Sequence, residues 1–93
     1  MATLTNERIA ELSDQVAAWQ VEDGHRLTRQ FSFSDFVGAL DFVNRVGDVA
    51  EAEAHHPDIH LAWGMVRVVI WTHAVDGLTE NDFILAAKID ALG

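Results

Sequence analysis

The sequence predicts an α+β two-layer sandwich, a four-stranded antiparallel sheet with three helices on one face. Three observations predict it. Helical and strand-like periodicities alternate in the order α-β-β-α-β-β-α. Each pair of strand segments is joined by a short connection containing glycine, which marks a hairpin and therefore antiparallel pairing. The helices carry apolar stripes that need a partner, and a sheet with one apolar face supplies it. With 93 residues, 49% of them apolar, the chain can form one small domain spanning residues 1–93.

The first helix is expected over Asn6–Ala18, where Ile9, Leu12, Val16 and Trp19 recur at helical spacing behind a Thr5 N-cap. Trp19–Glu22 and Arg26–Phe33 form a hairpin around the tight-turn pair Asp23-Gly24. In its second strand Leu27, Arg29, Phe31 and Phe33 share one face, and Thr28, Gln30 and Ser32 the other. Ser34 is the expected N-cap of a long helix over Asp35–Ala54, with a stripe of Phe36, Leu40, Val43, Val46 and Ala50. Pro57 forbids its continuation and biases His56 towards extended backbone. A second strand pair follows, Ile59–Trp63 and Met65–His73, with Gly64 at the turn. Thr79 then caps a last helix reaching about Leu92, with Asp82 at the position where a carboxylate can bond back to the cap. This helix is apolar nearly all round, which predicts cover on more than one side, from a second subunit.

Charge and composition exclude several classes. A net charge of −9 with only six Lys and Arg, none clustered, opposes binding to nucleic acid or to anionic membranes. No apolar run is long enough to span a bilayer, and residues 1–6 lack a signal-peptide pattern. The absence of cysteine fits a reducing compartment, so a cytoplasmic location is expected. There is no glycine-rich phosphate loop, and no serine or cysteine nucleophile with a matching base.

The chemistry concentrates in the histidines. His55-His56-Pro57 sits at a helix exit and His73 at the end of an apolar run. Around them the spacing is Glu51-x3-His55-His56-Pro57-x5-Trp63-x9-His73-x8-Asp82. Histidine titrates near neutral pH and serves proton transfer or metal binding. Taken singly, each residue has a plain structural role: His55 and His56 as a helix C-terminus, His73 as a structural histidine, Asp82 as a cap, Glu51 as a solvated side chain and Trp63 as core. Together, three imidazoles and two carboxylates drawn into one cleft make an acid–base set. Adjacent histidines seldom face one ion and no H-E-x-x-H spacing occurs, so no metal is expected. His25 and His60 are expected to be exposed bystanders.

This constellation resembles the signature of the pterin-4a-carbinolamine dehydratases. So do Trp19, the Asp23-Gly24 turn, Leu27-Thr28-Arg29, Phe31-x-Phe33 and Gly77-Leu78-Thr79-Glu80-x-Asp82. The resemblance implies dehydration of 4a-hydroxytetrahydrobiopterin to quinonoid dihydropterin and water, without cofactor, recycling the pterin of aromatic amino-acid hydroxylases. It implies His55 and His73 as general acid and base and His56 as a catalytic neighbour that positions the pterin. Glu51, Asp82, Trp63 and Thr72 are the implied substrate-binding and imidazole-orienting residues. Trp71 departs from the family pattern, which has a small hydroxyl residue there. The expected partners are a pterin substrate and further copies of the chain, as a homodimer or homotetramer. The alternative that the resemblance leaves open is a non-catalytic binding, assembly or coactivator protein on the same scaffold.

Overall fold

The computed structural model describes residues 3–92. Its helices are α1 (Asn6–Ser13), α2 (Phe36–Glu53) and α3 (Glu80–Asp90). Its strands are β1 (Gln20–Glu22), β2 (Arg26–Ser32), β3 (Asp58–Ala62) and β4 (Met65–Ile70). They form one antiparallel sheet in the order β1-β2-β4-β3. The central β2–β4 pairing runs from Leu27↔Ile70 to Ser32↔Met65. Leu27, Val66, Val68 and Ile70 are fully buried against the helices, while Gln30, Ser32 and His60 on the other face are exposed. The expected α+β sandwich is the fold observed.

The hairpin turn at Asp23-Gly24 forms as expected. Both residues have positive φ (53° and 70°), the geometry that Asp-Gly favours. Thr5 caps α1, accepting from the Arg8 N–H at 3.2 Å. The helix is shorter than predicted: after Ser13 the chain tightens into a 3-10 turn, Asp14–Val16. That turn keeps Val16 and Trp19 in the core. Trp19 Nε1–H donates to Asp90 at 2.8 Å, tying this corner to the end of α3.

Two expectations for α2 are corrected. The N-cap is Asp35, not Ser34: its carboxylate accepts from the Gly38 N–H at 2.8 Å. The buried stripe is Ala39, Phe42, Val46 and Ala50, whereas Phe36 and Leu40 remain 42% and 40% exposed. Small Ala39, fully buried, occupies the side that faces the rest of the fold, so the helix phase differs from the one read off the bulky residues.

At the sheet end, β4 stops at Ile70, three residues before the predicted end. Thr72 and Gly77 then pair across a short loop, with Thr72 N–H donating to Gly77 O at 2.9 Å. Between them His73–Val75 forms a 3-10 turn closed by Asp76 in the left-handed region (φ 46°). His73 therefore stands on a clasped turn, not on a strand.

The cover predicted for α3 from another subunit is supplied within the chain. Phe83, Leu85, Ala86 and Ile89 are buried, and α3 packs against α2, β2 and the Asp14–Val16 turn. Ile84 is the large apolar residue of α3 left exposed, at 46%.

Candidate active site

The site begins with how α2 ends. Ala54 adopts left-handed backbone (φ 52°, ψ 37°). Its N–H donates to Glu51 O at 3.2 Å, and the His55 N–H donates to Ala50 O at 3.1 Å. This is a Schellman closure, usually built on glycine. It reverses the chain within one residue, and Pro57 prevents helix from resuming. The two histidines diverge: the His55 side chain is 17% exposed and that of His56 is 62% exposed.

Each of the pair meets its own carboxylate. His56 Nε2 contacts Glu51 Oε2, one turn back on α2. His55 Nε2 lies 2.5 Å from Asp82 Oδ1. Asp82 is fully buried, and its other oxygen accepts from Thr72 Oγ1 (2.9 Å) and from the Thr79 N–H (2.8 Å). Thr72 and Thr79 hydroxyls are also 2.9 Å apart. With Thr72 donating to the carboxylate, Thr79 donates to Thr72 and the chain of donors is consistent. Asp82 also sits in the first turn of α3, where the helix dipole favours an anion. With Nε2–H of His55 donating to the Asp82 carboxylate, the lone pair of the neutral ring is on Nδ1.

These residues meet at a cleft of about 280 Å³ lined by Ala54, His55, His56, Trp71, Thr72, His73 and Ala74. So the α2 exit and the Thr72–Gly77 loop bring the three expected histidines together. Thr72 lines the cleft, but its hydroxyl serves Asp82. Asp82, expected to bind substrate or to orient an imidazole, has no exposed surface, and both its oxygens are engaged within the protein, one of them by His55. Glu51, 77% exposed at its side chain, supports His56 from outside the lining. Trp63 is not brought to the cleft; it stands 67% exposed at the β3–β4 turn, at the far end of β3 from Pro57. His25 and His60 are exposed, as expected of bystanders.

Sequence reasoning missed two contributors. Thr79, read only as a cap, belongs to the hydroxyl chain that holds Asp82. Trp71, noted only as a departure from the family pattern, stacks on His73 with ring centroids 4.2 Å apart and planes 19° apart. The spacing of two residues between Trp71 and His73 suggests a shared strand face; the stack arises because the strand has already ended.

Comparison with known proteins agrees with this geometry. Residues 2–92 match the family described as pterin 4 alpha carbinolamine dehydratase. A Rubrobacter xylanophilus protein named for the same activity is 51% identical over 89 residues, covering 96% of this chain and 83% of the relative. The mitochondrial pterin-4-alpha-carbinolamine dehydratase 2 of Arabidopsis thaliana is 47% identical, covering 99% of this chain and 51% of the relative. A crystal structure of a transcriptional coactivator/pterin dehydratase from Brucella melitensis superimposes with a TM-score of 0.90 at 35% identity, covering 97% of both chains. A pterin dehydratase-like protein described as a RuBisCO assembly factor shares the fold, with a TM-score of 0.70 at 22% identity over 81% of this chain and 88% of that one. Matched over residues 2–92 and about half identical to relatives named for that activity, the chain belongs to the pterin-4a-carbinolamine dehydratase family, a family of hydro-lyases.

Proposed function

We propose that this protein dehydrates 4a-hydroxytetrahydropterins, 4a-hydroxytetrahydrobiopterin or a close relative, to the quinonoid dihydropterin and water. The observation that carries the reading is the cleft that gathers His55, His56 and His73 while the Asp82 carboxylate holds His55 at Nε2. The reaction breaks a C–O bond, so the leaving hydroxyl needs a proton, and a ring nitrogen loses one as the double bond forms. Imidazoles can do both near neutral pH. A positioned acid or base contributes about 10²–10⁴-fold. In this reading His55 and His73 exchange these protons and His56, aligned by Glu51, positions the pterin. The product would be returned to the cofactor pool of an aromatic amino-acid hydroxylase in the cytoplasm. Among the described residues no helix is long and apolar enough to cross a membrane. Decay of 4a-hydroxytetrahydropterin followed by stopped-flow absorbance, with and without the protein, tests the activity. Decay at the spontaneous rate would refute it.

A homodimer or homotetramer remains part of the reading, with a changed surface. The exposed apolar residues Phe36, Val37 and Leu40 sit together on the first turns of α2. Copies carrying −9 each repel through their charged faces, so an apolar helix face is the favourable place for them to meet. A solution mass of 10.3 kDa at micromolar concentration would contradict self-association. The same face is the observation that favours the second reading, a binding role of the coactivator type for which the Brucella relative is named.

A further inference from the structure

His55 and His56 are each oriented by a carboxylate, but His73 is not. Among the described residues, neither ring nitrogen of His73 has a protein hydrogen-bond partner. The residue is exposed and stands on a 3-10 turn only three residues long. A side chain so placed is free to sample rotamers unless packing restrains it.

The restraint is aromatic. His73 stacks on Trp71, and the Arg26 guanidinium carbon lies 4.5 Å from the Trp71 ring centroid. Arg26 also reaches Asp76 Oδ1 at 3.4 Å. Asp76 is the left-handed residue that closes the 3-10 turn carrying His73. So one β2 side chain touches both the residue beneath the imidazole and the residue that ends its turn. A cation over an indole face is attracted by the ring quadrupole, and the exposed Arg26–Asp76 pair adds a weaker tether. The Trp71 stack engages His73, so Trp71 serves that ring instead of acting as a free platform for a ligand.

We propose that Trp71 and Arg26 are positioning residues for His73: the Arg26–Trp71 contact holds the indole, and the indole fixes the imidazole at the cleft. The proposal rests on the reading that His73 acts in dehydration. A misplacement of about 1 Å in a reacting group can cost about 10²-fold in rate. Losing the Arg26 contact therefore lowers kcat while leaving the pterin KM in place, because Arg26 lies outside the cleft lining.

The test combines a spectroscopic and a kinetic reading on the full chain. An imidazole stacked on an indole shows upfield-shifted ring C–H proton resonances, assigned by their loss in His73→Ala. In Trp71→Ala and in Arg26→Ala these resonances are expected to move downfield, with Trp71→Phe intermediate. The kcat is expected to fall by about tenfold to 10²-fold in Arg26→Ala at unchanged KM. Arg26→Ala removes a partly exposed side chain and leaves the indole in place, so it stays informative should Trp71→Ala fail to fold. Resonances of His73 unmoved in Arg26→Ala would overturn the proposal. So would full activity in Arg26→Ala when His73→Ala is inactive. If the resonances move but His73→Ala keeps full activity, the positioning geometry stands and the catalytic role of His73 falls.

Discussion

His55 Nε2 lies 2.5 Å from Oδ1 of Asp82, a carboxylate with no exposed surface whose other oxygen is bonded to Thr72 and to the Thr79 N–H. The same aspartate caps α3 and aligns a histidine arriving from α2. Structure and chemistry are therefore coupled through one side chain.

Asp82→Asn should separate these roles. The amide oxygen can still accept from Thr72 and Thr79, while its NH₂ faces His55 and demands the opposite tautomer. The expected result is a folded protein whose kcat falls by about 10²-fold or more. Asp82→Ala leaves buried donors without an acceptor and should cost about 2–4 kcal/mol of stability. Denaturant titration together with steady-state kinetics checks both; an Asp82→Asn enzyme of normal kcat would refute the tautomer argument.

Ala54 occupies left-handed backbone at the turn that presents His55. That conformation costs a non-glycine L-residue about 1–2 kcal/mol. Glycine there gives back about 0.4–1 kcal/mol through the greater entropy of its unfolded chain. The strain relief is the larger effect, so Ala54→Gly should stabilise by about 1 kcal/mol and raise Tm by about 4–8 °C. Calorimetry showing a lower Tm would contradict it.

Gly64 lets the β3–β4 turn approach the end of β2. A Cβ added there would lie 2.8 Å from Phe33 O, beside the Phe33 N–H to Gly64 O bond of 2.8 Å. Backbone cannot yield as a flexible side chain does. Gly64→Ala should destabilise by about 1–3 kcal/mol in urea unfolding, and wild-type stability in that variant would show that the turn can open without cost.

Trp63 belongs to the signature spacing but stands away from the cleft. Trp63→Ala should leave the pterin KM unchanged. A raised KM with unaltered solution mass would return Trp63 to the substrate site.

The hairpins, the Thr5 and Thr79 caps and the end of α2 before Pro57 were legible because each rests on local chemistry: Asp-Gly turns, hydroxyl caps and a proline that cannot continue a helix. The gathering of His55, His56 and His73 was legible because the helix exit and the loop after β4 are two connections that such a sandwich can bring together. The phase of α2 was not, since bulky Phe36 and Leu40 looked like core while small Ala39 took the buried side. Nor was the end of β4. Period-2 alternation runs on through Trp71 and His73, and only the Thr72–Gly77 clasp, a contact across the loop, stops the strand. Asp82 read as a cap, and as a substrate ligand or the partner of an imidazole; its complete burial depends on tertiary packing that spacing does not encode.

Stopped-flow decay of 4a-hydroxytetrahydropterin, with wild type beside the His55→Ala/His73→Ala double variant, bears most closely on histidine-driven dehydration. The predicted result is fast dehydration by wild type and decay near the spontaneous rate with the folded double variant. Equal acceleration by both proteins would contradict it.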